Sequence, residues 1–221
     1  MKKYLKERRQ VFVERNIGNT LVIAKDTLPK DINIDSVIKK VRNSIPEHFL
    51  ENIDSIYVGQ FENLISRELT AMYSDGAIYI TNEQHSESDM VEDIIHELAH
   101  SIEETKPADI YGDGKVEGEF LSKRQNLYFA LKDENFPVEL GEFLDLDYSE
   151  AFDEFLYKQV GYPLLSAISI NIFYSPYGAT SLREYFANGF EAYYYHRDVN
   201  YLKKISPNLF DKVKNLGYNE E

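Results

Sequence analysis

The chain has no cysteine among its 221 residues, so disulfides and thiolate metal sites are excluded. It has no long hydrophobic run either: nothing approaches the ~20 apolar residues of a membrane span. The N-terminal stretch carries charges without the apolar core of a secretory signal. That points to the cytoplasm, with secretion the alternative if a leader has been removed. Basic residues are scarce against acidic ones. A formal net charge of −14 repels phosphate and argues against nucleic acid as a partner. Such a surface is compatible with a basic or neutral peptide, and equally with a plain solubilising role. Repeats and low-complexity linkers are also lacking. What is present in quantity is core material: 43% hydrophobic residues, with 17 Tyr and 13 Phe.

The most informative segment is Val91–Glu104, VEDIIHELAHSIEE, which contains His96-Glu97-Leu98-Ala99-His100. Ile94, Ile95, Leu98, Ala99 and Ile102 recur at helical spacing, so the segment is predicted to be a helix packed on a core. Ser86, with Asp89 three residues on, forms a capping box that opens it. The i, i+4 spacing sets both imidazoles on one face, one turn apart, where two nitrogens can share one cation. Glu97 follows the first of them, within reach of a water on that cation. Zinc lowers the pKa of such a water to about 7, so a carboxylate can take its proton at neutral pH.

Two imidazoles do not complete a catalytic zinc site, which needs a third protein ligand and an open position. The extended pattern H-E-x-x-H-x-x-G-x-x-H fails, because Glu103 and Lys106 occupy its Gly and third His positions. The third ligand is therefore expected on a later helix. In Leu182–Tyr195, Glu184 is a carboxylate amid aromatic residues, a poor place for an unpaired charge and a good one for a charge on a metal. Glu191, two turns further, is the alternative ligand. Asn188, one turn after Glu184, suits acceptance of an N–H from a ligating imidazole. His48, His85 and His196 read as surface or satisfied histidines, and Glu103 and Glu104 as a solvated helix end.

The run Glu184-Tyr185-Phe186-Ala187-Asn188-Gly189-Phe190, downstream of the H-E-x-x-H helix, resembles the E-[FY]-F-A-x-x-F helix of one peptidase family. This is the zinc metalloprotease family of the anthrax toxin lethal factor and the secreted Pro-Pro endopeptidases. Ala192-Tyr193-Tyr194-Tyr195 and a following Leu202–Val213 helix that carries a Pro extend the resemblance. It implies zinc held by His96, His100 and Glu184, with Glu97 as general base. It also implies that Tyr177, seven residues before Glu184, faces the oxyanion. The chain departs from the pattern at Asn188, where the relatives have Glu, so the support around the ligands is altered. The stretch between His100 and Glu184 is longer than in the Pro-Pro endopeptidases, and their proline specificity is not carried over.

The expected fold is a single α+β, zincin-like domain over 1–221. An α/β part (1–85) with a small mixed sheet precedes a mainly helical part (86–221) that begins with the active-site helix. Strands are predicted at Gln10–Arg15, Thr20–Ala24 and Ile53–Val58. A hairpin is expected at Ala71–Tyr73 and Ala77–Thr81 around Ser74-Asp75-Gly76. Ala77–Thr81 reads either as an exposed edge that pairs with an extended peptide or as a core strand. Helices are predicted at Asp35–Ile45, Glu117–Lys132, Ser149–Val160, Tyr162–Ile172, Ser181–His196 and Tyr201–Leu216. Lys106–Val116 is expected to be a loop; its Asp109 and Asp113 lack calcium-loop spacing. The expected function is zinc-dependent hydrolysis of peptide bonds in a protein or peptide substrate, without nucleic acid or membrane. The alternative is a catalytically inactive zincin-fold protein that grips a partner.

Overall fold

A computed structural model describes residues 13–218. The chain is α+β, and its described residues divide into two compact units, one ending at Ile102 and the other starting at Glu103.

The first unit is built on a five-stranded mixed sheet of order β1-β2-β3-β5-β4. β1 (Val13–Ile17) and β2 (Thr20–Ala24) form an antiparallel hairpin, closed at Gly18 in the left-handed region. Of the expected first strand, Gln10–Phe12 lie outside the described residues. β2 runs parallel to β3 (Ser55–Val58), and β3 parallel to β5 (Ala77–Ile80). β4 (Ala71–Ser74) closes the sheet antiparallel to β5. Strand alternation separates the two faces. Val22, Ile56 and Ile78 align across the sheet and are fully buried, whereas the next row, Ile23, Tyr57 and Tyr79, is half-buried. Because β5 lies between β3 and β4, it is a core strand, and among the described residues β4 is one edge of the sheet.

Helix α1 (Ile34–Ser44) is the crossover between β2 and β3. Asn33 caps it by accepting from the N–H groups of Asp35 and Ser36, and Pro46 follows its end. A single turn, α2 (Glu62–Ser66), follows β3. Helix α3 (Glu87–Thr105) buries Met90, Val91, Ile94, Ile95, Leu98, Ala99 and Ile102, the stripe legible in the sequence. Its start is pinned as the Ser86/Asp89 spacing predicts, with the Asp89 N–H on Ser86 Oγ at 3.1 Å. Glu87 then ties α3 to α1, accepting from the Asn33 N–H, Ser36 Oγ and Lys40 Nζ.

The second unit is helical. The expected loop after α3 holds a short helix, α4 (Pro107–Tyr111), because Pro107 supplies a ready first turn. Asp113 pairs with Lys115 and Lys212 at 3.4 and 3.2 Å. α5 (Lys115–Asp133) is the long central helix. The predicted helix over 149–160 divides into α6 (Glu150–Glu154) and a π-helical turn, Phe155–Val160. α7 (Tyr162–Ile168) is shorter than expected and buries only Leu165. α8 (Leu182–Tyr194) is buried on nearly all sides. A β-carbon at Gly189 would lie 2.3 Å from Leu209 Cδ2, so this glycine permits close packing of the final helix. The expected last helix divides into α9 (Val199–Ile205) and α10 (Pro207–Leu216), since Pro207 cannot donate to the preceding turn.

Candidate metal centre and active-site residues

In the first unit, α3 presents His96, Glu97 and His100. The Nε2 atoms of the two histidines are 3.1 Å apart, with the rings nearly perpendicular at 83°. Two imidazoles on a tetrahedral zinc, with Zn–N near 2.0–2.1 Å, hold their nitrogens roughly 3.3 Å apart. The spacing therefore fits a shared cation with little rearrangement. His100 is buried, while His96 is half-buried.

Glu97 is 8% exposed, and its Oε2 accepts the backbone N–H of Tyr73 at 2.6 Å. Tyr73 lies on β4, so the carboxylate is oriented from the sheet edge. A buried carboxylate needs such a partner. Nothing in the strand pattern marks Tyr73 for this part, because the contact is made by its backbone.

The second unit carries the other expected residues. Tyr177 lies in a 3-10 turn, Pro176–Ala179, directly before α8. Its carbonyl accepts from both the N–H and Oγ1 of Thr180, at 3.0 and 2.8 Å. Gly178 lies close beside it: a β-carbon there would lie 2.9 Å from Asn188 Oδ1 and would have to displace that amide. Glu184 stands in the first turn of α8, its N–H donated to the Ser181 cap at 3.2 Å. A carboxylate in a first turn is favoured by the helix dipole. Tyr148 feels this group. Burial and the Asp153 carboxylate push its hydroxyl up to about 12, with Glu184 adding a smaller push in the same direction.

Asn188 is engaged differently from expectation. Its Oδ1, expected to receive an imidazole N–H, accepts the Ser175 hydroxyl, and its Nδ2 donates to Glu191 Oε2 at 3.3 Å. Glu191, the alternative ligand, is a buried carboxylate held by that amide. His196 stacks on Tyr174, with ring centroids 6.0 Å apart.

Glu103 is not a solvated end. Its Oε1 accepts from Tyr111 Oη at 2.6 Å, and Oε2 pairs with Arg183 Nε at 3.4 Å. Burial raises its pKa against the pull of these partners. Glu104 is exposed, as expected.

Sequence reasoning missed Lys123 and Arg124, both buried on α5. A signal existed: Arg124 falls four residues after Phe120 and three before Leu127, inside the helix's apolar stripe. A cation at such a position must find partners in the interior.

Comparison of the chain with known protein families, curated proteins and solved structures finds no match.

Proposed function

We propose that the chain is a zinc-dependent endopeptidase of zincin-like fold, related to the lethal factor and Pro-Pro endopeptidase family. The observation that carries this reading is the His96–His100 pair, with Nε2 atoms 3.1 Å apart and a buried carboxylate on the intervening residue. Two imidazoles and a carboxylate, the set that the resemblance implies with Glu184, suit one divalent ion. When bound, zinc acidifies a water and polarises the scissile carbonyl.

The chain's own residues then have defined tasks. Glu97 takes the proton of the attacking water and returns it to the leaving amine. The Tyr73 N–H fixes the carboxylate by one of its oxygens. Tyr177, through its hydroxyl, donates to the oxyanion that develops on the substrate carbonyl, a contribution of about 2–4 kcal/mol for a single such donor. β4 is the sheet edge near this chemistry, and an extended peptide is the substrate form that suits an edge.

The Tyr73–Glu97 bond gives the alternative its foothold. A carboxylate that secures an edge strand has a structural task without chemistry, as a partner-gripping protein of the same fold would need.

The test is metal content with peptide cleavage. Chelator-stripped protein reconstituted with zinc is expected to hold about one ion per chain. It is also expected to cleave members of a peptide library. His96→Ala and Glu184→Ala each lower the zinc affinity strongly. Full zinc retention by Glu184→Ala moves the third ligand elsewhere, with Glu191 the next candidate. Zinc uptake without cleavage favours the partner-gripping protein, and no uptake rejects the peptidase reading.

A further inference from the structure

Lys123 and Arg124 are adjacent on α5, 6% and 1% exposed. Their charged groups are hydrogen-bonded to backbone carbonyls. Arg124 Nη1 donates to the carbonyls of Ala179 and Thr180 at 2.8 and 3.2 Å, and Nη2 to that of Glu142 at 2.5 Å. Lys123 Nζ donates to the carbonyls of Ile172 and Ile205. The guanidinium lies 4.0 Å from the Phe152 ring centroid, with Phe120 and Phe143 beyond at 5.5 and 5.6 Å.

A buried cation is costly, and the cost shows in both groups. Burial lowers Lys123 to about 8 and Arg124 to about 10. A core that needed only volume would be filled better by Leu or Met. What a cation provides here is donors for carbonyls that no helix or strand satisfies. Three of the five carbonyls belong to 172–180, the irregular segment that carries Tyr177 and leads into α8. Arg124 Nη1 alone bridges two consecutive peptide units, Ala179 and Thr180, while the other arm of the guanidinium's rigid fork holds Glu142. Thr180 in turn grips the Tyr177 carbonyl, and the next residue, Ser181, caps the turn of Glu184.

We propose that Lys123 and Arg124 form an internal clamp that positions the Tyr177 turn and the Glu184-bearing start of α8. They are positioning residues and touch neither substrate nor metal. The link to catalysis rests on the function proposed above, whereas the clamp itself does not.

Hydrogen exchange and cobalt binding test the clamp separately. In Arg124→Met, which keeps the volume and loses the donors, amides over 174–185 are expected to exchange at least about tenfold faster. Amides of the β-sheet keep wild-type rates. Arg124→Lys, which lacks the second arm needed to hold Glu142 together with Ala179 and Thr180, shows a smaller local change and serves as the reading if Arg124→Met unfolds. Wild-type exchange over 174–185 in whichever variant stays folded overturns the clamp. So does equal acceleration throughout the second unit, the mark of general destabilisation.

Cobalt(II) affinity, read from its visible absorption, is expected to fall roughly tenfold in Arg124→Met. The fall should vanish in a Glu184→Ala background, because the clamp acts through that residue. A loss of equal size in both backgrounds contradicts positioning of Glu184. If wild-type protein binds no cobalt, the metal reading fails, while the exchange comparison still decides the clamp.

Discussion

The Tyr73 backbone N–H points away from β5 and donates to Glu97 Oε2 at 2.6 Å, joining the sheet edge to the second residue of the H-E-x-x-H motif. Hydrogen bonds to an ionised acceptor contribute about 1.5–3 kcal/mol. Removing the acceptor in Glu97→Ala should speed exchange of the Tyr73 amide by about 10- to 100-fold. In Glu97→Gln the side-chain carbonyl can still accept, so most of the protection remains. Equal protection in wild type and Glu97→Ala would show that the bond does not order the strand.

Glu87 predicts an acid limb of stability. Hydrogen bonds from Lys40, Ser36 and the Asn33 N–H lower its pKa from 4.5 to about 2. A carboxylate lowered on folding stabilises the fold above its unfolded pKa, and that contribution is lost as pH falls through the folded value. Wild-type Tm should therefore fall between pH 4.5 and about 2 more steeply than that of Glu87→Gln. The two curves are expected to be farthest apart near neutral pH. Parallel curves over this range would remove Glu87 as the cause.

Tyr177 is half-buried in a turn held by Thr180 and bordered by Gly178. Tyr177→Phe keeps the ring and loses the hydroxyl alone. We expect kcat to drop roughly 10- to 1000-fold with little change in zinc content or Tm. A wild-type kcat removes Tyr177 from the mechanism. An unfolded variant assigns the hydroxyl a structural part instead.

Much of this architecture is legible in residue order. The α3 stripe, its Ser86 cap, β2 and the hairpin around Asp75-Gly76 all follow from periodicity and turn chemistry acting locally. The failures are tertiary. Whether Ala77–Ile80 is an edge or a core strand depends on where β4 pairs, which alternation cannot express. Glu103 reads as solvated because its partners, Tyr111 and Arg183, are brought to it by the fold. Arg124 interrupts an apolar stripe, and only the carbonyls of a distant turn explain it. Lys106–Val116 and the junction at Ser206-Pro207 show the two uses of proline, opening a helix in one place and dividing a predicted one in another. Within the site, the spacing of His96, Glu97 and His100 needs no tertiary information. The parts of Glu184 and Tyr177 depend on chain folding; Glu184 stands out by its aromatic setting as well as by the resemblance, Tyr177 by the resemblance alone.

The measurement that bears most directly on the peptidase assignment is a comparison of Glu97→Gln with wild type, scoring zinc content and peptide turnover in the same preparations. Under the proposed function Glu97 handles proton transfer and does not ligate the metal. The variant is therefore expected to hold the same zinc, with wild-type Tm, and to lose cleavage of peptides that the wild type cuts. Undiminished turnover in Glu97→Gln would contradict the account.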